Sequence, residues 1–126
     1  MAGAAKVAWF GLICLSASAL CGAQSISRDS FVRQSEMLAF EIGRTFEMGQ
    51  HCNVMLDGLS RPAAASLFRQ YVQQTDANQI LGHYDLGVNS ASRAACDQRW
   101  LTDQIRSVDA RMNYHVQMGK GLITRR

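Results

Sequence analysis

The sequence predicts an all-α domain: a small four-helix fold in long-short-short-long order, preceded by a cleaved signal peptide. Three observations carry that expectation. Apolar residues recur at three- and four-residue spacing along most of the chain, and strand-like alternation is absent. Proline occurs once, at Pro62, so little interrupts a helix. The chain opens with Lys6, an apolar run from Val7 to Leu20, and small residues up to Ala23. That is the layout of a secretory signal. The apolar run would span only ~21 Å as a helix, short of the ~30 Å of a bilayer core. Cleavage after Ala23 divides the chain into a signal at 1–23 and a single helical domain at 24–126.

The first helix is expected from Arg28 to Asp57. Ser27 can cap it, and Asp29 suits the positive end of the helix dipole. Phe31, Leu38, Ile42, Phe46 and Leu56 share one face, with Cys52 in the same arc. Asp29–Arg33, Glu41–Arg44 and Arg44–Glu47 have the spacing of ion pairs on the wet side. Gly58 follows as a left-handed stop. Ser60-Arg61-Pro62 restarts the chain, and Ala64, Leu67, Phe68, Tyr71 and Val72 make a short amphipathic helix. Asp76 with Gln79 resembles a capping box for a third short helix, with Ile80, Leu81 and Tyr84 inward and Gly87 at its end. Asn89–Ser92 is a polar joint. The last helix is expected from Arg93 to Met118, on a stripe of Leu101, Ile105, Val108, Met112 and Val116. Cys96 would point roughly 140° away from that stripe, beside Trp100, Ser107 and Tyr114. The helix must then offer two contact faces or bend near Trp100.

Export decides how the cysteines are read. Cys14 and Cys21 leave with the signal, and Cys52 and Cys96 remain. Two cysteines in an oxidising compartment are expected to form a bridge. Closing a loop of that length stabilises by ~4 kcal/mol in the chain-entropy treatment. The signal carries one of the 13 basic residues and none of the 10 acidic ones, so the remaining charge is nearly balanced. The charges are interleaved, without the stripe or cluster of a nucleic-acid binder. The membrane is met only in transit, through the signal.

No reactive constellation stands out. His51 precedes Cys52, but neighbours on a helix diverge by ~100°, and a bridged cysteine is no nucleophile. His83 and Asp85 point ~200° apart, with Tyr84 better used in the core. Zinc, haem and phosphate-loop signatures are missing. The sharper idea is a soft-metal site. Met48, His51 and Met55 fall on one helix face, and so do Met112, His115 and Met118. Thioethers with imidazole suit Cu(I). If Cys52 and Cys96 are bridged and the long helices run antiparallel, the two trios lie far apart. Methionines at helical spacing also serve as core filler.

Cys52, the element Tyr84-Asp85-Leu86-Gly87 and Cys96 give a layout of long helix, cysteine, Tyr-x-x-Gly, cysteine, last helix. This resembles small exported bacterial all-helical proteins, among them helical periplasmic immunity proteins of the Rap/Tai type and families still uncharacterised. The resemblance implies a single helical domain that works by binding another protein, and it assigns no functional residue. The expected function is therefore a periplasmic or secreted protein–protein interaction module: an immunity or inhibitor protein, a secretion-system accessory, or an envelope chaperone. Trp100 and Tyr114 are the candidate interaction surface. No cofactor and no catalytic residue is expected, and copper handling through the two Met/His faces is the alternative.

Overall fold

The computed structural model describes residues 26–124. The expected signal at 1–23, with Cys14 and Cys21, lies outside the described residues, as does Arg125-Arg126. The described residues fold into four α-helices: α1 (Arg28–His51), α2 (Arg61–Arg69), α3 (Gln74–Ala91) and α4 (Gln98–Thr124), with a 3-10 turn at Asp57–Leu59. The described residues contain no strand, and none of their helices is long and apolar enough to cross a membrane.

α1 starts where its cap was expected. Ser27 Oγ accepts from the Ser30 amide, and Asp29 sits in the first turn. It ends six residues earlier than expected. Asn53 takes φ 58°, the left-handed region where an asparagine is tolerated. The Val54 amide then reaches back to the Gly49 carbonyl and the Asn53 amide to that of Gln50, a Schellman close. The stop residue is thus Asn53 and not Gly58. Leu56 leaves the helix face and packs against Gly49 from the following loop.

α2 begins as read, with Ser60 Oγ accepting from the Ala63 amide and proline in the first turn. α3 departs from expectation at both ends. It starts at Gln74, with Asp76 inside the first turn as a dipole partner rather than a cap. It also runs through Gly87 to Ala91. Gly87 is a contact residue and not a terminator: a Cβ there would collide with the Phe40 carbonyl oxygen. Gly43 answers from α1, where a Cβ would strike the Tyr84 carbonyl oxygen. Two glycines therefore let the α1 and α3 backbones approach closely. Gly43 meets Tyr84 while Glu36 meets Gln79, so the two helices run parallel.

α4 begins five residues later than expected. Asp97 caps it, accepting from the Trp100 amide at 3.0 Å. Cys96 therefore lies in the loop ahead of the helix, where α4 need not aim it. Cys52 and Cys96 form the expected disulfide, with Cα atoms 4.9 Å apart and a sequence separation of 44. No bend at Trp100 is required, and α4 continues as one helix past Met118. Gln104 meets Glu41 and His115 meets Ser35, so α4 runs antiparallel to α1.

The core lies between the helices, built from Leu38, Ala39, Ile42, Ala64, Ala65, Phe68, Ile80, Leu81, Tyr84 and Val108. Burying a side chain such as Ile42, Ile80 or Phe68 contributes roughly 1.5–3 kcal/mol each. A second cluster, Phe31, Tyr71 and Met118, closes the far end from the disulfide. The Tyr84 hydroxyl donates to the Leu59 carbonyl at 2.8 Å and ties the 3-10 turn to α3. Of the expected ion pairs, Glu41–Arg44 forms at 2.9 Å. Asp29–Arg33 and Arg44–Glu47 do not; Glu47 takes His51 instead, at 3.0 Å. A pair between helices, Arg61–Asp85, holds the Asp85 carboxyl below its usual range through the guanidinium hydrogen bond.

Candidate functional site

α1 is the shared helix. Going round it at ~100° per residue, the order is Glu36, Phe40, Met37, Glu41, Leu38. Glu36 faces α3, where Gln79 donates to it and His83 lies 3.7 Å away. Glu41 and Leu38 face α4. The α3 and α4 backbones nowhere approach within 8 Å, Cα to Cα. The strip of α1 between them, centred on Met37 and Phe40, is left as the floor of a groove. Met37 is 65% exposed, and Tyr114 on the α4 wall is 62% exposed.

Two hollows flank Met37. One, of about 200 Å³, is lined by Gln34, Met37, Leu38, Arg111, Tyr114 and His115. The other, of about 380 Å³, is lined by Glu36, Met37, Phe40, Glu41, His83 and Arg111. Arg111 borders both. At the disulfide end the groove is closed by Arg44. Its guanidinium lies 5.0 Å from the Trp100 ring centroid and 5.8 Å from that of Phe40, and it donates to Glu41. Gln104 donates to the same carboxylate from α4.

The expected surface pair is thus placed on one wall. Trp100 and Tyr114 stand on the same side of α4, fourteen positions or ~21 Å apart. Trp100 is half-buried against Arg44 and is not the exposed centre of a patch, whereas Tyr114 is open. Sequence reasoning found this second face of α4 but missed its partner residues. Met37 and Phe40 fall off the main apolar stripe of α1, and that was the available signal.

The six candidate metal ligands do not converge. Met48 is buried and His51 bonds Glu47 near one end of α1. Met55 lies beyond the helix stop and is exposed, so it no longer shares a helical face with them. Met112 borders a hollow with Leu56, Gly58 and Leu59, whereas His115 and Met118 lie by Phe31 and Tyr71 at the other end of the molecule. Ser35, the partner of His115, is sixteen positions from His51, or ~24 Å along α1. Among the described residues, no three His, Cys, Asp or Glu side chains are grouped to hold a metal ion.

His115 is a core residue. It stacks on Phe31 with ring centroids 4.4 Å apart and meets the Phe68 ring edge-on. The Ser35 hydroxyl gives its proton to the Phe31 carbonyl, so its lone pair faces His115 Nε2, 3.2 Å away. Burial pushes this imidazole down to about 4. The consecutive residues His83, Tyr84 and Asp85 are dispersed: Tyr84 is buried, Asp85 turns to Arg61 on α2, and His83 turns to Glu36. Cys52, next to His51, is held in the disulfide.

No protein-family model matches this chain, and neither does any curated protein or solved structure. The groove therefore has to be read on its own chemistry. It offers an apolar floor, an open tyrosine, and polar walls from three helices.

Proposed function

We propose that this chain is an exported helical interaction module that binds another protein in a periplasm or outside the cell. Immunity or inhibitor protein, secretion-system accessory and envelope chaperone are the roles that fit such a module. One observation carries the reading: the strip of α1 between α3 and α4 is uncovered and apolar, with Met37 and Tyr114 open to solvent. A small fold that keeps two large apolar side chains exposed beside hollows has contact surface to offer. The Cys52–Cys96 bridge is compatible with an oxidising compartment, as the reading requires.

The test has two arms. Mass spectrometry of the protein from its native cells is expected to find an amino terminus at Gln24 and no alkylatable thiol without reductant. An intact Met1 with free Cys52 and Cys96 removes the export half. For binding, a photo-cross-linking residue is placed at Met37, in the groove, or at Leu86, exposed on α3 as a control. The Met37 position is expected to give a discrete adduct that is lost with Tyr114→Ala. Identical behaviour at both positions refutes the groove as the working surface.

A further inference from the structure

The charges around the groove are unequal in availability. Glu36 is engaged by Gln79, with His83 3.7 Å away, and Glu41 by Arg44 and Gln104. Both carboxylates are mostly covered, at 15% and 22% side-chain exposure. Arg111 is the opposite case. It is exposed on the rim shared by the two hollows and has no ion pair among the described residues. In the smaller hollow it is the one charged lining residue beside apolar walls, because His115 is neutral there.

The walls also constrain the backbone of an occupant. Both sides of the α1–α4 seam are helices whose interior amides and carbonyls are spent on their own hydrogen bonds. An extended strand laid there would find no ladder, and its own backbone groups would be left without partners on one side. A helix satisfies its backbone internally. The seam from Trp100 to Tyr114 runs ~21 Å, room for about four helical turns.

We propose that the groove binds an acidic amphipathic helix of a partner protein, which seats an apolar side chain between Met37 and Tyr114 and pairs a neighbouring carboxylate with Arg111. This rests on the reading of the chain as a protein-binding module and names the chemistry of its partner. The carboxylate stands one turn from the apolar anchor, at i+3 or i+4, because those positions share a helix face.

The experiment uses the purified oxidised protein and two labelled synthetic helical peptides of four turns. Both carry leucines at i, i+4 and i+7; one has glutamates at the flanking positions and the other lysines. Fluorescence anisotropy at low salt is expected to show the glutamate peptide binding at least tenfold more tightly. Arg111→Glu should reverse that order while leaving the melting temperature unchanged, since Arg111 is exposed and without an ion pair. Equal affinities, a tighter lysine peptide, or no binding of either overturns the assignment of an acidic helix. The Met37 cross-link is read separately. An adduct there alongside a failed peptide experiment leaves the interaction module standing with a partner of other chemistry, and loss of both sinks the two together.

Discussion

His115 shows how one residue can couple a helical core to pH. In the fold it is neutral, wedged against Phe31 and Phe68, with a pKa pushed to about 4 by burial. In the unfolded chain an imidazole titrates near 6.5. As pH falls through 6.5 the unfolded chain takes up a proton that the fold refuses until about 4. Stability is therefore full above pH 6.5, declines between 6.5 and 4, and then levels off for this group. The loss amounts to about 3 kcal/mol by linkage. Urea unfolding at pH 7, 5.5 and 4.5 is expected to show that decline, and His115→Leu to flatten it. An unchanged slope in the variant would assign the pH response to other groups. Tyr84 supports a separate prediction. Its ring is buried, which pushes its hydroxyl pKa up, and the hydroxyl serves the Leu59 carbonyl. Tyr84→Phe keeps the ring and strands that carbonyl, at a cost of about 1–2 kcal/mol. Equilibrium unfolding should register it as a lower midpoint with unchanged denaturant dependence.

At the scale of elements, the α1–α3 pair is held by what it lacks. Gly43 and Gly87 each place bare Cα against the partner's backbone, and a methyl at either would meet a carbonyl oxygen that cannot swing away. Gly43→Ala or Gly87→Ala should cost about 3 kcal/mol or more. Gly82, in the same helix, has open space where its Cβ would stand. Gly82→Ala should gain up to ~1 kcal/mol through helix propensity alone. Three melting curves decide the matter: two falling and one rising is the expected pattern, and three equal shifts would deny the close crossing. The same residues explain what could be read in advance. Helix starts were legible where a short polar side chain caps them, as at Ser27 and Ser60. Helix stops were not. Gly87 reads as a terminator, yet tertiary contact keeps it inside α3, and α1 stops at Asn53 rather than at Gly58. At α4 the capping aspartate lay unused in the sequence at Asp97, one residue after the cysteine that posed the geometric difficulty. The groove was half legible. Trp100 and Tyr114 could be assigned to a second face of α4, but that face acquires meaning only once α3 and α4 are set apart across α1, and their separation is a matter of packing.

For the whole molecule, the decisive asymmetry is how unequally the two long-range partners of α1 are attached. α3 meets α1 through close glycine contacts at Gly43 and Gly87, with Glu36 reaching Gln79 further toward the start of both helices. α4 is held by a sparser seam: Leu101, Val108 and His115 inward, Gln104 to Glu41, Trp100 to Arg44, and the disulfide at its leading end. The bridge restrains the loop that delivers α4, and it does so beside the Trp100–Arg44 contact that closes one end of the groove. Removing it frees the unfolded chain by ~4 kcal/mol of loop entropy. For a domain of this size that corresponds to a fall of roughly 15–30 °C in melting temperature. The loss should begin locally. Trp100 is the tryptophan of the described residues, so its emission should shift red on reduction before the far-ultraviolet signal of the helices declines, because the N-terminal turns of α4 lose their anchor while α1 and α3 keep theirs. Cys52→Ala with Cys96→Ala should reproduce both changes without reductant. A melting temperature that ignores reduction would show that the α1–α4 seam holds without its covalent tie, and the groove would then owe its shape to packing alone.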